Sequence, residues 1–147
     1  MNVLSRDEII SLFTSNALKI ETPDNFYRAQ AALNYSYDNS FQQCSLDLHV
    51  GSIYIPESDN GGPGSMTHPK TDDCVLSTGE TVLISTREKI TLPNNIGAIC
   101  FSKSSMALKG VLITNMGHVD PGYSGHLHFT AINMGKEKFG LTVKKDT

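Results

Sequence analysis

Two short clusters in this sequence hold residue types that could do chemistry on an anion. The first is Lys103-Ser104-Ser105, a cation followed by two hydroxyls. Placed after an apolar, strand-like run, such a turn offers a phosphate an ammonium charge, hydroxyl donors and backbone N–H groups. An ordinary turn between strand and helix would read the same way. No glycine-rich Walker sequence is present, so this is not a P-loop. The second cluster is Asp120-Pro121-Gly122-Tyr123-Ser124-Gly125. Proline fixes its own φ and restricts the residue before it, which holds the Asp120 carboxylate in place. A held carboxylate can orient and deprotonate water. Tyr123 offers a flat ring that could stack on a base or simply pack in the turn. A hairpin turn by itself would need the Pro-Gly pair but neither the acid nor the tyrosine. Between the clusters runs the apolar segment Gly110-Val111-Leu112-Ile113-Thr114. A cation, hydroxyls, an aromatic and a carboxylate together point toward a nucleotide.

A third candidate is Asp47. The run from Cys44 to Pro56 alternates, with Ser45, Asp47 and His49 on one side and Leu46, Leu48 and Val50 on the other, which predicts a strand with one face on the core. A carboxylate is depleted in mid-strand, so Asp47 is either part of an exposed strand face or an acid of a site. His68, Asp72 and Asp73 lie in the polar loop 57–74, but their spacing matches no zinc or calcium pattern.

The elements that must position these residues are mostly short strands. Twelve glycines and six prolines, with turn signals at regular spacing, predict an all-β barrel or sandwich. The strand runs are the one starting at Val75, then 81–86, 90–92, 96–101, 126–133 and 139–143. Ser77-Thr78-Gly79 and Pro93-Asn94-Asn95 are the turns between the first of them. The clearest helix covers residues 5–16. Ser5 and Glu8 form a capping box, Ile9, Leu12 and Phe13 share one face, and Asn16 is a stop. Leu18-Lys19-Ile20 alternates as a short strand. Residues 24–43 show no single pattern and read as a surface loop or as a loop covering a ligand in a neighbouring subunit.

Composition narrows the partners. The 147 residues suffice for one domain with its own core, and a charged fraction of 18% is too low for a disordered chain. With a net charge of −3 and no basic cluster beyond 136–145, a nucleic-acid-binding surface is not expected, although a small anion needs only a local positive site. Three widely spaced cysteines without CxxC spacing suit reduced thiols, and no apolar run approaches the length of a membrane span or a signal peptide. The expectation is a cytoplasmic protein with neither nucleic-acid nor membrane partners.

Four stretches resemble the family of trimeric dUTPases and dCTP deaminases, most closely its deaminase branch. They are LSRDEIISLF with ALKI, SLDLHVG, the long run from LSTGETVLI to FSKSSMALKGVLI, and HVDPGYSGHLHFTAINMG. The resemblance omits 24–43 and 57–74. It implies a distorted, dUTPase-like β-barrel (a β-clip) with a short N-terminal helix, a homotrimer, and sites at subunit interfaces. It also implies a pyrimidine deoxyribonucleoside triphosphate as ligand, held with Mg²⁺ while water attacks the α-phosphorus. In that reaction Asp120 would activate the water and Asp47 would hold waters of the Mg²⁺ shell. Lys103, Ser104 and Ser105 would meet the phosphates, Tyr123 would pack under the deoxyribose or base, and the backbone from Ile113 to Asp120 would read the pyrimidine edge.

Three departures from the family pattern shape the functional expectation. The glutamate that shuttles protons in the deaminases is replaced by Thr130, and threonine cannot cycle protons at neutral pH. Neither HxE nor PCxxC occurs, which excludes a zinc deaminase. Lys103 stands where the family has arginine, keeping the charge but not the bidentate fork. The sequence ends at 144–147, before the family's last strand and phosphate-closing tail, so the resemblance implies either a fragment of a longer protein or a single domain over 1–147 that has lost them, and without them hydrolysis is expected to be slow. The expected activity is dUTPase-like hydrolysis of dUTP to dUMP and pyrophosphate. A dCTP deaminase and a non-catalytic nucleotide- or protein-binding relative are the alternatives.

Overall fold

The computed structural model describes residues 2–25, 27, 40–55, 72–114 and 117–143. Helix α1 spans Arg6–Thr14. Its capping box forms as the sequence predicts: the Ser5 hydroxyl accepts from the Glu8 N–H at 3.3 Å, and the Glu8 carboxylate accepts from the Ser5 N–H at 2.7 Å. That backbone hydrogen bond, followed by the one to the Ser5 hydroxyl, holds the Glu8 carboxyl below the usual carboxylate range. Asn16 ends the helix at φ 68°, the left-handed conformation that asparagine tolerates. Replacing Ser5 by alanine is expected to cost about 1 kcal/mol, read as a shift of the urea midpoint with an unchanged slope.

The organising strand is β4, Thr81–Thr91. Strand β8, Ser124–Asn133, runs antiparallel along one edge of it. The other edge is divided. Strand β2, Val50–Tyr54, pairs with Leu83–Thr86, and strand β1, Lys19–Glu21, pairs with Lys89–Thr91. Strand β6, Val111–Thr114, completes this five-stranded sheet beyond β8. Two short ladders flank it: β3, Cys74–Leu76, with β9, Phe139–Leu141, and β5, Ala98–Ile99, with β7, His118–Val119. Between β5 and β6 lies a short helix, α2, Ser104–Leu108. The architecture is all-β with one capped N-terminal helix, as expected.

The bulge in β4 between Ser85 and Lys89 is where the strand changes partners and where the core divides. At the β1 end, Phe13, Tyr27 and Phe41 pack edge-on or tilted, with ring centroids 5.9–6.3 Å apart, beside Ile20, Ile90 and Val119. At the β2 end, Ile53, Val82, Ile84, Ala131 and Leu141 form the second cluster. The bulge itself buries Arg87 and Glu88, two charges at positions that a pure alternation would not mark.

Strand bounds depart from expectation in several places, among them the joining of 81–86 and 90–92 into the single strand β4 and the end of 139–143 at Leu141. The run 44–56 forms a strand only from Val50, so Asp47 is not in mid-strand. Its N–H is taken by the Ser40 carbonyl at 2.7 Å, and the His49 N–H by the Glu88 carboxylate at 3.0 Å, so neither joins a ladder. The predicted strand 96–101 shortens to Ala98–Ile99, and β8 begins two residues earlier than predicted. The turn into β6 needs a glycine: Gly110 has φ +76°, and a Cβ there would sit 2.7 Å from the Gly135 backbone.

Candidate functional site

Asp47 and Lys103, distant in sequence, meet: the Lys103 Nζ lies 2.7 Å from the Asp47 Oδ2. Two things place them there. The irregular run before β2 is pinned by the Ser40 and Glu88 bonds just described, and β5 delivers Phe101–Lys103 to the start of α2. Both side chains line a cleft of about 490 Å³, together with His49, Phe101, Met106 and Phe129. Lysine, carboxylate and imidazole thus share an otherwise largely apolar hollow. Ser102 lines the cleft, whereas Ser104 and Ser105 lie just beyond it, exposed on the first turn of α2.

His49 is held from behind by a residue that pattern reading did not single out. Glu88 is fully enclosed, and its carboxylate faces the His49 Nδ1 at 2.7 Å, the His49 N–H at 3.0 Å and the Tyr27 hydroxyl at 3.2 Å. Burial pushes the Glu88 carboxyl up, but the His49 side-chain and backbone hydrogen bonds outweigh it and hold the group below the ordinary value. Ionised Glu88 therefore accepts, which places a proton on the His49 Nδ1. Beside it, Arg87 Nη2 reaches the Asp24 Oδ2 at 2.6 Å. The available signal was an Arg-Glu pair inside a run otherwise patterned as strand. Cys100 also lines the cleft, and burial pushes its thiol up, which argues against a thiolate nucleophile there.

Asp120 lies elsewhere, with its side chain 81% exposed and its Oδ1 3.3 Å from the His118 Nε2. The turn that holds it is tight: the Tyr123 N–H donates to the Asp120 carbonyl at 3.1 Å, and Gly122 has φ +80°. Tyr123 donates its hydroxyl to the His126 carbonyl at 2.6 Å and packs on the first core cluster. Its ring leans over Gly125, where a Cβ would come within 2.8 Å of the phenolic oxygen. Tyr123 is thus held in the turn by its own hydroxyl, with part of its ring packed on the core. Of the backbone from Ile113 to Asp120, residues 115 and 116 lie outside the described residues, as do His68 and most of the loops 24–43 and 57–74. Asp73 is described, and its carboxylate accepts from the Val143 N–H at 2.9 Å, a structural contact.

No residue of the Asp120 turn lines the cleft that holds Lys103. Ile99 faces His118, and the Cys100 N–H donates to the Gly117 carbonyl at 2.8 Å. From that contact the antiparallel segments run in opposite directions, one toward Lys103 and the other toward Asp120. Thr130 lies between Leu83 and Thr114 in the middle of the sheet. Phe129 lines the cleft, so alternation turns Thr130 to the opposite face. No aspartate or glutamate occurs in β8. Among the described residues no group of three or more His, Cys, Asp or Glu could hold a metal ion, and no helix is long and apolar enough to cross a membrane.

Sheet order, split central strand and flanking ladders define an all-β protein of dUTPase-like fold. The solved 2'-deoxycytidine 5'-triphosphate deaminase of Agrobacterium tumefaciens superposes with a TM-score of 0.68 over 95% of this chain and 44% of its own, at 22% identity, a likeness of fold. The sequence profile described as dCTP deaminase-like matches residues 3–145. A dCTP deaminase, dUMP-forming, of Nocardioides sp. is 40% identical over 134 residues, 90% of this chain and 69% of the relative. One of Thermobifida fusca is 28% identical over 90% of this chain and 67% of its own length. The chain therefore belongs to the dCTP deaminase-like family within the dUTPase and dCTP deaminase group. It spans about two thirds of the length of these curated relatives and less than half of the solved chain.

Proposed function

We propose that the chain acts on a pyrimidine deoxyribonucleoside triphosphate and hydrolyses dUTP to dUMP and pyrophosphate. The observation that carries this reading is the split of carboxylate chemistry. Asp120 is exposed and rigidly mounted, whereas β8, where the family places a proton-shuttling glutamate, has only Thr130. The relatives' name supports the same partition. Making dUMP from dCTP takes two hydrolyses, one exchanging the C4 amino group for oxygen and one cleaving the α–β anhydride. Losing the group that serves the first leaves the second.

In this reading Lys103 and the hydroxyls of Ser104 and Ser105 bind the phosphates, and Tyr123 supports the sugar or base. Asp120 orients the water that attacks the α-phosphorus and accepts its proton while pyrophosphate leaves. Mg²⁺ supplies charge neutralisation on the triphosphate when bound. Asp47 is a lone carboxylate, which suits contact through water to a metal arriving on the nucleotide rather than direct capture. The absence of the Asp120 turn from the cleft that holds Lys103 supports a homotrimer in which one copy's Lys103 turn faces another copy's Asp120 turn. Phe101 and Leu108, 82% and 88% exposed beside the lysine turn, would be covered there. The free cysteines Cys44, Cys74 and Cys100 suit the cytoplasm.

The test is product analysis with Mg²⁺ and either dUTP or dCTP. Pyrophosphate from dUTP without ammonia from dCTP is expected. Ammonia from dCTP would establish deamination instead, and binding without either product would establish a non-catalytic relative. Shared sites have their own test. Mixing inactive Lys103→Met and Asp120→Asn chains, then refolding them together, should restore part of the activity. Sites built within one chain would restore none.

A further inference from the structure

Asp47 carries two assignments that oppose each other. As an outer partner of Mg²⁺ it should help a triphosphate bind. Yet its Oδ2 is engaged by Lys103 at 2.7 Å, and Lys103 is the cation that the phosphates require. Among the described residues, the other polar contact of that oxygen is the Gln42 amide, which donates to it at 3.4 Å. Lys103 is 61% exposed and its long stem can swing, whereas Asp47 is 24% exposed and tethered through its own N–H. An ion pair with one mobile, solvated partner is weak and exchangeable.

We propose that Asp47 and Lys103 form an exchangeable pair that regulates this site. Without ligand, Asp47 is the counter-ion of Lys103. An oligophosphate binds by taking Lys103 away, and the carboxylate left behind then faces the phosphates as a like charge. Asp47 is thereby the residue that makes oligophosphate binding depend on a divalent cation, because only a cation between the two anions relieves their repulsion. This rests on the nucleotide reading only in taking phosphates as the ligand.

The test is calorimetric binding of inorganic tripolyphosphate to the full chain, in EDTA and then in Mg²⁺. Asp47→Asn, close to isosteric, should bind tripolyphosphate about fivefold more tightly than the parent in EDTA, since it neither holds Lys103 nor repels the anion. The gain on adding Mg²⁺, after allowing for metal binding by free tripolyphosphate, should shrink in the same variant. Lys103→Met should lose affinity under both conditions. Equal or weaker binding by Asp47→Asn in EDTA overturns the proposal, as does failure of parent and variant alike to bind. Parallel titrations with dUTP and dCTP separate the two claims. If a nucleotide binds but Asp47→Asn gains nothing, the exchange is wrong and the nucleotide reading stands. If tripolyphosphate shows the gain and neither nucleotide binds better than it, the exchange stands and the nucleotide reading fails.

Discussion

Asp120→Asn is expected to lower turnover of dUTP by about 10²- to 10⁴-fold while leaving nucleotide affinity within a few-fold of the parent. The amide keeps the shape and hydrogen-bonding reach of the side chain but cannot accept the water's proton. The structure makes this a clean experiment. Asp120 is exposed, and its side-chain contact with His118 at 3.3 Å lies on the surface and contributes little to stability. The turn is held by the Asp120 carbonyl, by Pro121 and by Gly122, none of which the substitution alters. A loss of rate would therefore report chemistry rather than folding. Hydrolysis by the variant at the parental rate would remove Asp120 from the reaction.

The second large effect concerns stability. His49→Ala removes the imidazole from a fully enclosed carboxylate and leaves Glu88 with the Tyr27 hydroxyl and one backbone N–H. A buried charged acceptor that loses a partner costs about 2–3 kcal/mol. For a chain of this size that is a fall in melting temperature of about 5–10 °C. Glu88→Gln should behave differently. It keeps one acceptor for the His49 Nδ1–H and the Tyr27 hydroxyl but turns an amide donor toward the His49 N–H, so it also costs stability, while removal of the charge changes the pH dependence. Because folding holds the Glu88 carboxyl below its ordinary value, the unfolded chain binds that proton more readily. The stability it contributes is present above the ordinary carboxylate value of about 4.3 and is lost as pH falls through the lower folded value. Thermal melts between pH 3 and 7 should show a shallower acid decline for Glu88→Gln than for the parent. Identical declines would show that Glu88 is not the group responsible.

What could be read in the sequence follows the range of the interactions. The capping box of Ser5 and Glu8 and the Asn16 stop are local, each set by residues within one or two turns, and they form as written. The turns at Gly79 and Gly122 and the apolar runs of β6 and β8 are likewise local patterns. The all-β class followed from them. The extent of the strand before Val50 did not. Its alternation continues through Asp47, but the N–H groups there are claimed by Ser40 and Glu88, one of them from the bulge of a strand 39 residues away. Burial of Arg87 and Glu88 was hidden for the same reason. Charge argues for exposure unless a partner is known, and Asp24, His49 and Tyr27 are all remote in sequence. Of the site, Lys103 and Asp47 were singled out separately for phosphate and for metal, and only the folded chain shows that they bind each other. The opposite placement of Asp120 came from the β5–β7 register, which no local pattern encodes.

The central claim is that water is directed to phosphorus and not to the pyrimidine ring. Turnover in ¹⁸O-labelled water with Mg²⁺, first with dUTP and then with dCTP, followed by mass spectrometry of the products, tests it most directly. One ¹⁸O in the phosphate of dUMP from dUTP, with no label at C4 of any uracil formed from dCTP, is the predicted result. Label at C4 of a uracil product from dCTP would contradict it.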